Sequence, residues 1–288
     1  MGTLFLVATP IGNLEDLSPR AQRILGQASL IAAEDTRLTR RLLTHFGIHT
    51  PLTSYFEHNK LSKLGPILQA LGEGNVALVS DAGMPAINDP GYELVNAALA
   101  AGHEVSPIPG PSAPLAALAV SGLPSDSFLY LGYLPRRGAA RRALLEGVAG
   151  QPYTLIVLET PHRLLESLQD IGAVLGDRPA AIARELTKVH EQVWRGSVSQ
   201  AIAFYSEQEP RGEFTLILGG RPRAERLRWA EERVILAVRS GLRLGEPPAK
   251  LARRVAVESG WERKEVYHLA VSSNSKAESD EVLHDRSG

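Results

Sequence analysis

Short runs of β-forming residues give way, four times in the first half of the chain, to turns rich in Gly, Pro, Asp and Ser and then to helical periodicity. Leu4–Ala8 leads into Thr9-Pro10-Ile11-Gly12-Asn13, and a helix is predicted from Ser18, where Ser18-Pro19 supplies an N-cap and a first helical residue. Ser29–Ala33 leads into Glu34-Asp35-Thr36-Arg37. Val76–Ser80 leads into Asp81-Ala82-Gly83-Met84-Pro85, with a helix from about Pro90. Glu104–Pro107 leads into Pro109-Gly110-Pro111-Ser112-Ala113. Alternation of this kind predicts an α/β fold with a largely parallel sheet, whose ligands bind beyond the carboxyl ends of the strands. The four turns therefore converge on one predicted cleft.

A linker is expected around Gly122–Leu134, where Pro124, Ser125 and Asp126 precede an aromatic-containing run. Beyond it come strands over Thr154–Leu158, Ala180–Arg184, Glu191–Gly196 and Phe214–Leu218, with helices over His162–Val174 and Gln200–Ser206. Paired strands interleaved with helices predict a mixed second sheet. Residues 224–271 turn helical, and Pro248–Val271 reads as helix, Gly260 turn, helix. The expected division is an α/β domain over 1–122, a second over 123–222, a helical basic unit over 223–271 and a polar, disordered tail over 272–288.

The net charge of −1 argues against a blanket nucleic-acid binder, but the charge is unevenly spread. Residues 1–132 carry 7 Lys/Arg against 11 Asp/Glu, whereas residues 221–270 carry 12 against 7. With no cysteine, thiolate nucleophiles, disulfides and Cys-type zinc sites are excluded. No basic leader segment opens the chain, and no apolar run reaches the roughly 18 residues of a membrane span. A soluble, cytoplasmic protein without membrane partners is expected.

The sequence holds no G-x-x-x-x-G-K-[ST] loop, no G-x-G-x-x-G after the first strand and no serine nucleophile elbow. ATP hydrolysis and dinucleotide redox chemistry lose ground accordingly. His45 and His49 have the helical metal-pair spacing, but Gly47 lies between them, and a helix end accounts for them better than a metal. Asp35 and Asp81 each follow a strand, where a carboxylate faces the cleft or caps a helix. Pro109-Gly110-Pro111-Ser112 is stiffened by two prolines, while its glycine permits close backbone approach. Arg184-Glu185-Leu186-Thr187-Lys188 leaves a strand with three charges in five residues; these either pair with one another or meet a ligand.

Leu6–Asp16, Ala33–Arg37, Ser54-Tyr55-Phe56-Glu57-His58-Asn59, Ser80–Pro85 with Asp89-Pro90-Gly91, Pro109–Ala113, Glu159-Thr160-Pro161-His162-Arg163 and Arg184–Lys188 together resemble the tetrapyrrole methylase superfamily. They resemble most its ribosomal branch, enzymes that methylate the ribose 2′-hydroxyl of a decoding-centre cytidine in 16S rRNA. The resemblance spans roughly residues 3–270. It implies two α/β domains, S-adenosyl-L-methionine in the cleft, a homodimer, and 16S rRNA or the small ribosomal subunit as partner. Cofactor-binding residues carried over by it are Pro10, Gly12, Asp81, Ala82, Gly83, Met84, Pro109, Gly110, Ser112, Ala113, Glu159, Glu213 and Thr215. The tetrapyrrole enzymes have a glycine-rich first turn where this chain has Thr9–Asn13, which favours the ribosomal branch.

Methyl transfer from a sulfonium needs neither a metal nor a covalent nucleophile, but a ribose hydroxyl must lose its proton. A general base contributes about 10²–10⁴-fold. Candidates are Glu34, Asp35, Glu185, Lys188, His58 and His162; Glu185 with Lys188 is preferred for sharing one charged strand exit, and Asp35 is kept beside them. Arg136, Arg137, Arg141 and Arg142 beside Tyr130 and Tyr133, and Arg253, Arg254, Arg263 and Lys264 beside Trp261, combine cations with aromatic faces suited to RNA. The alternatives are a precorrin-type methylase on the same fold, which the basic segment disfavours, and a non-catalytic module that binds S-adenosylmethionine or RNA.

Overall fold

The structure, a computed structural model, describes residues 2–222 and 228–284, with side chains followed to residue 273. Contacts divide it into two compact units, 1–221 and 222–288. Residues 223–227 and 285–288, which belong to the expected basic unit and tail, lie outside the described residues. Among the described residues no helix is long and apolar enough to cross a membrane.

The first unit opens with an all-parallel sheet, in spatial order β3-β2-β4-β1-β5. Its strands are β1 (Thr3–Val7), β2 (Leu30–Ala33), β3 (Leu52–Ser54), β4 (Val76–Val79) and β5 (Glu104–Ile108). Helices α1 (Pro19–Gln27), α2 (Thr36–His45), α3 (Lys60–Glu73) and α4 (Tyr92–Ala100) make the crossovers. Alternation along β1 sends Leu4 and Leu6 to one core with Ile67, Leu71 and Leu94, and Val7 to another with Leu25, Ile31 and Leu43. Ser18 accepts the Ala21 N–H ahead of Pro19, and Asp35 accepts the Arg37 N–H, so both helices start where capping chemistry places them.

The second sheet, β6-β7-β10-β8-β9, is mixed: β6 (Phe128–Tyr133) runs parallel to β7 (Thr154–Glu159), and the remaining neighbours are antiparallel. The other strands are β8 (Pro179–Arg184), β9 (Gln192–Ser197) and β10 (Phe214–Leu218). Helices α6 (Gly138–Val148), α7 (Leu164–Leu175) and α8 (Val198–Ser206) accompany this sheet, and its main core holds Leu145, Leu155, Val157, Leu164, Leu168, Ile182, Leu216 and Leu218. Its opposite face is covered by α5 (Ala113–Ser121), whose Ala117 and Leu118 pack with Ile156, Ala181, Ala183 and Ile217.

Three expectations change here. The residues read as a linker contain β6, an edge strand with a bulge between Tyr130 and Gly132. A cut at residue 122 separates α5 from the sheet it packs against, which is why 1–221 holds together as one unit. The third concerns the tail. The second unit comprises α9 (Glu231–Arg243), α10 (Pro248–Ser259) and α11 (Arg263–His284), and α11 carries helix through residues expected to be a disordered tail. Nothing after Gly260 in that stretch breaks a helix, since it lacks both Gly and Pro up to residue 284. Gly260 takes the left-handed C-cap with φ 71°, and Val234, Val238, Leu251, Val255 and Val266 form the core of the three helices.

Candidate functional site

The carboxyl ends of the first sheet and the strand ends of the second enclose a cavity of about 590 Å³, within the range of small-molecule sites. Its polar wall carries Glu34, Asp81 and Asp89. Its apolar wall carries Ile11, Ile87, Phe128, Tyr130, Leu158 and Phe214. Asp81, Ala82, Gly83, Met84, Pro109, Gly110, Ser112, Ala113, Glu213 and Thr215, all anticipated from the sequence, line it.

The turns that build the cavity are tied together. Thr9 and Gly83 exchange backbone hydrogen bonds of 2.9 and 3.0 Å, joining the exits of β1 and β4. Gly83 sits at φ 85°, a conformation that favours glycine. The Asp35 N–H donates to Asp81 Oδ1 at 2.9 Å, and the Asp81 N–H donates to Glu34 Oε2 at 3.4 Å, so the β2 and β4 exits brace each other. Burial, joined by the charges of Asp89 and Asp81, pushes the Glu34 carboxyl up. Asp81 is raised chiefly by burial too, and Asp89 is pushed up to about 6 by the same cause. A wall of carboxylates that resist ionisation favours a cationic ligand.

Every non-glycine residue with positive φ among the described residues lies in segments at this cavity: Ala86 (67°), Asn88 (65°), Glu185 (51°) and Thr187 (65°). Each such conformation costs about 1–3 kcal/mol and persists only where its surroundings enforce it. The enforcement is visible in the first pair. Gly132, at φ 64° in the β6 bulge, leaves room for the Asn88 carboxamide that any Cβ would strike. In the second pair, Lys188 Nζ donates to Glu185 Oε1 at 3.0 Å and to Glu213 Oε2 at 3.2 Å, while the Glu213 N–H donates to Glu185 Oε1 at 2.9 Å.

This network answers which candidate bases are basic. Burial raises Glu185, but the Glu213 N–H and the Lys188 ammonium outweigh it and hold Glu185 below the ordinary carboxylate range. Burial works against the Lys188 ammonium, yet Glu185 and Glu213 hold it above its ordinary value. Lys188 therefore stays charged, and neither member of the preferred pair is tuned as a base. Asp35 is withdrawn for a different reason. Hydrogen bonds from the Arg37 side chain and backbone hold its carboxyl down at about 2, and it caps α2 away from the cavity wall. His58 and His162 are exposed and off the wall as well.

Pro10, Gly12 and Glu159 do not line the cavity. Gly12 instead packs against Lys188 and Thr187, so closely that a Cβ would collide with both side chains. Glu159 is buried and accepts from the Thr160 N–H (2.8 Å), Arg163 Nη2 (2.9 Å) and Ser167 Oγ (2.6 Å), which makes it an internal brace at the β7 exit. Glu159 is thus corrected from ligand contact to scaffold.

The two proposed RNA patches separate on inspection. Arg141 is fully buried, with Nη2 2.6 Å from both Glu166 and Asp170, and cannot meet RNA. Arg142 pairs with Asp170 at 3.0 Å but stays half exposed, and Arg136 and Arg137 are exposed. In the helical unit, Arg253, Arg263 and Lys264 are exposed and have no salt-bridge partner among the described residues. Arg254 is held by Glu246 at 2.8 Å and Glu258 at 3.4 Å.

The sequence singled out Tyr130 and Tyr133 for RNA, whereas they line the cavity; Asp89 and Leu186 stood in motifs without a role, and Asn88 and Ala183 on the wall were missed. The aromatic run before Leu134 was the one available signal for the β6 contribution.

A parallel sheet whose strand exits share a cavity with a mixed sheet defines a two-sheet α/β protein with a small-molecule site. The profile of the Tetrapyrrole (Corrin/Porphyrin) Methylases matches residues 3–202, and the chain belongs to this family. Within it, the protein named Ribosomal RNA small subunit methyltransferase I of Synechocystis sp. is 46% identical over 94% of this chain and 98% of its own. The protein of the same name from Thermotoga maritima is 48% identical over 222 residues, which are 77% of this chain and the whole of that one. A crystal structure of uroporphyrin-III C-methyltransferase from Thermus thermophilus, complexed with S-adenyl homocysteine, superposes with a TM-score of 0.53 at 21% identity, over 76% of this chain and 97% of that one. At that identity the likeness concerns the fold.

Proposed function

We propose that this protein transfers the methyl group of S-adenosylmethionine to the 2′-hydroxyl of a decoding-centre cytidine in 16S rRNA. The observation that carries the reading is the cavity itself: a half-enclosed site whose carboxylates suit a cationic ligand, in a chain matched along nearly its full length by small-subunit rRNA methyltransferases. When bound, the cofactor supplies a methyl group activated on positively charged sulfur.

In this reading the chain's own residues do the positioning. Glu34, Asp81 and Asp89 provide the negative field for the cation. Asp81–Met84, Pro109–Ala113 and Glu213–Thr215 form the rest of the cofactor wall; at Gly110 the backbone runs close enough to Ala8 that a Cβ would lie 3.0 Å from the Ala8 methyl. Leu158, Leu186 and Phe214 exclude water, which strengthens each charge interaction. Lys188 stands as a fixed ammonium beside Leu186 and Glu213, suited to holding an RNA phosphate or an emerging oxyanion. Holding acceptor and methyl in line supplies about 7–11 kcal/mol of the barrier reduction.

Arg136, Arg137, Arg253, Arg263 and Lys264 are the exposed cations assigned to rRNA. We take the working form to be a cytoplasmic homodimer, which sedimentation equilibrium checks. The test of function is incubation with labelled S-adenosylmethionine and small ribosomal subunits from cells lacking the modification, followed by nucleotide mapping. Label as 2′-O-methylcytidine at one decoding-centre position is the expected result. Label on a base, or only in a tetrapyrrole extract, overturns the reading.

A further inference from the structure

Residues 1–132 hold 7 Lys/Arg against 11 Asp/Glu, and three of the seven, Arg37, Arg40 and Arg41, crowd onto one helix, α2. Their spacings of three and four put them on one helical face together with Thr44. All four residues are exposed, while Thr39 and Leu43 on the other side of α2 are buried. Among the described residues the one salt bridge of these arginines joins Arg37 to Asp35. Asp35 takes the Nε–Nη2 edge of that guanidinium, at 3.2 and 2.8 Å, and the Arg37 side chain is still 86% exposed. The stripe is anchored to the cavity. Asp35, which orients Arg37, donates its N–H to Asp81 Oδ1, and both Asp81 and Glu34, the residue before Asp35, line the wall. Arg37 thus stands at the cavity mouth, and Arg41 follows about 6 Å along the helix axis, roughly one nucleotide of an extended strand.

We propose that this face of α2 is a phosphate-binding track for single-stranded RNA, holding the strand beside the nucleotide that enters the cavity, an assignment resting on the methyl transfer proposed above. Charge complementarity carries it. Glu34, Asp81 and Asp89 suit a cationic cofactor but repel a phosphate backbone, so a strand that delivers a ribose to them needs cations beside the mouth. Arg37, Arg40 and Arg41 supply those cations where the parallel-sheet layer is otherwise acidic. Their side chain is the one that grips phosphate oxygens two at a time, and Arg37 can keep Asp35 on one edge while its other edge meets a phosphate. Asp35, which has no place as a base, then acts on the substrate indirectly, by fixing the direction of the Arg37 fork. An unpaired strand is the form that fits, since a ribose reaches a half-enclosed cavity only from a nucleotide freed of its helix.

The test uses the full chain, its Arg37→Ala variant and the double variant Arg40→Ala with Arg41→Ala. Binding to protein-free 16S rRNA and to small ribosomal subunits is followed as salt is raised, and affinity for S-adenosylhomocysteine is read by calorimetry. The slope of log affinity against log salt should fall by about 0.7 for the single variant and about 1.4 for the double, on both RNAs. KM for subunits should rise about tenfold in the double variant, with S-adenosylhomocysteine affinity within roughly threefold of the wild type. A second measurement locates the strand. The chain has no cysteine, so Thr44→Cys places a unique thiol on the same face with all three arginines kept. An iron–EDTA tether on that thiol should cleave 16S rRNA beside the methylated nucleotide. The same tether at Gln69→Cys, exposed on α3 across the sheet, should not. Unchanged salt slopes, or cleavage from residue 44 no stronger than from residue 69, overturn the assignment. So does a weakening seen with subunits but not with protein-free rRNA, because the partner of α2 would then be a ribosomal protein. A wild type that methylates no ribose removes the parent reading, a result distinct from an active wild type whose arginine variants bind as it does.

Discussion

The α/β unit and the helical unit use arginine in opposite ways. In residues 1–221, Arg141 is buried against Glu166 and Asp170, Arg163 braces Glu159, and buried Arg178 donates to the carbonyls of Leu175 (2.9 Å), Ala149 (2.6 Å) and Gly219 (3.4 Å). In the helical unit, Arg233 lies over the Trp229 ring at 4.0 Å and Arg228 over Trp261 at 4.4 Å, while Arg253, Arg263 and Lys264 face solvent. The first unit buries these arginines inside its scaffold and leaves Arg136 and Arg137 exposed. The second displays all the cations named here. The 222-residue Thermotoga relative, as long as the first unit, shows that a chain of that extent carries the same name. On the function proposed above, the cofactor cavity is lined by the first unit alone, and the helical unit's exposed cations add to Arg136 and Arg137 in holding RNA.

The sharpest way to break this contrast is at Arg141. Arg141→Met leaves Asp170 without its buried partner, and truncation of such a pair costs about 3–5 kcal/mol. Thermal melts should fall by roughly 2–4 °C per kcal/mol. A melt unchanged from wild type would mean that Arg141 belongs to the surface after all.

Next in size is Gly132→Val, which forces a β-branched residue into φ 64° and drives the Asn88 side chain from its place. A cost of about 1–3 kcal/mol is expected, read as weaker S-adenosylhomocysteine binding in calorimetry with the helical unit's RNA contacts untouched. Unaltered binding would separate the loop from the cofactor site.

Smaller effects belong to the displayed cations. Arg253→Ala with Lys264→Ala should lower the salt slope of rRNA binding by about 1 per charge and leave cofactor affinity alone. Filter binding from 50 to 200 mM salt reads this directly; an unchanged slope would take the helical unit out of RNA recognition. Arg254→Ala is the smallest, a change in stability or binding within about 0.5 kcal/mol, because Glu246 and Glu258 already share its charge at the surface.

The difference between the units also explains what the sequence made legible. The turns after β1, β2, β4 and β5 were readable because Gly, Pro, Asp and Ser punctuate clear apolar runs, and most of the cavity wall came with them. Arg141 was misread because four arginines in seven residues look like one patch. Helical spacing sorts them: Arg141 shares a face with buried Leu145, while Arg142 turns outward. β6 was hidden by the Pro and Asp residues before it and by its bulge, where Gly132 meets the Asn88 side chain from over 40 residues away in sequence. Asp89 could not be singled out for the same kind of reason. Its exposure to the cavity depends on a left-handed alanine and asparagine that tertiary packing enforces, and no local propensity announces Ala86 at φ 67°.

The most direct test of the central claim is the affinity of a fragment spanning residues 1–221 for S-adenosylhomocysteine, measured by calorimetry beside the full chain. The expected result is a folded fragment whose dissociation constant lies within roughly threefold of the full chain's, about 0.7 kcal/mol, with its deficit confined to rRNA binding. A folded fragment that binds no cofactor would contradict it, because the site would then require residues beyond the cavity described here.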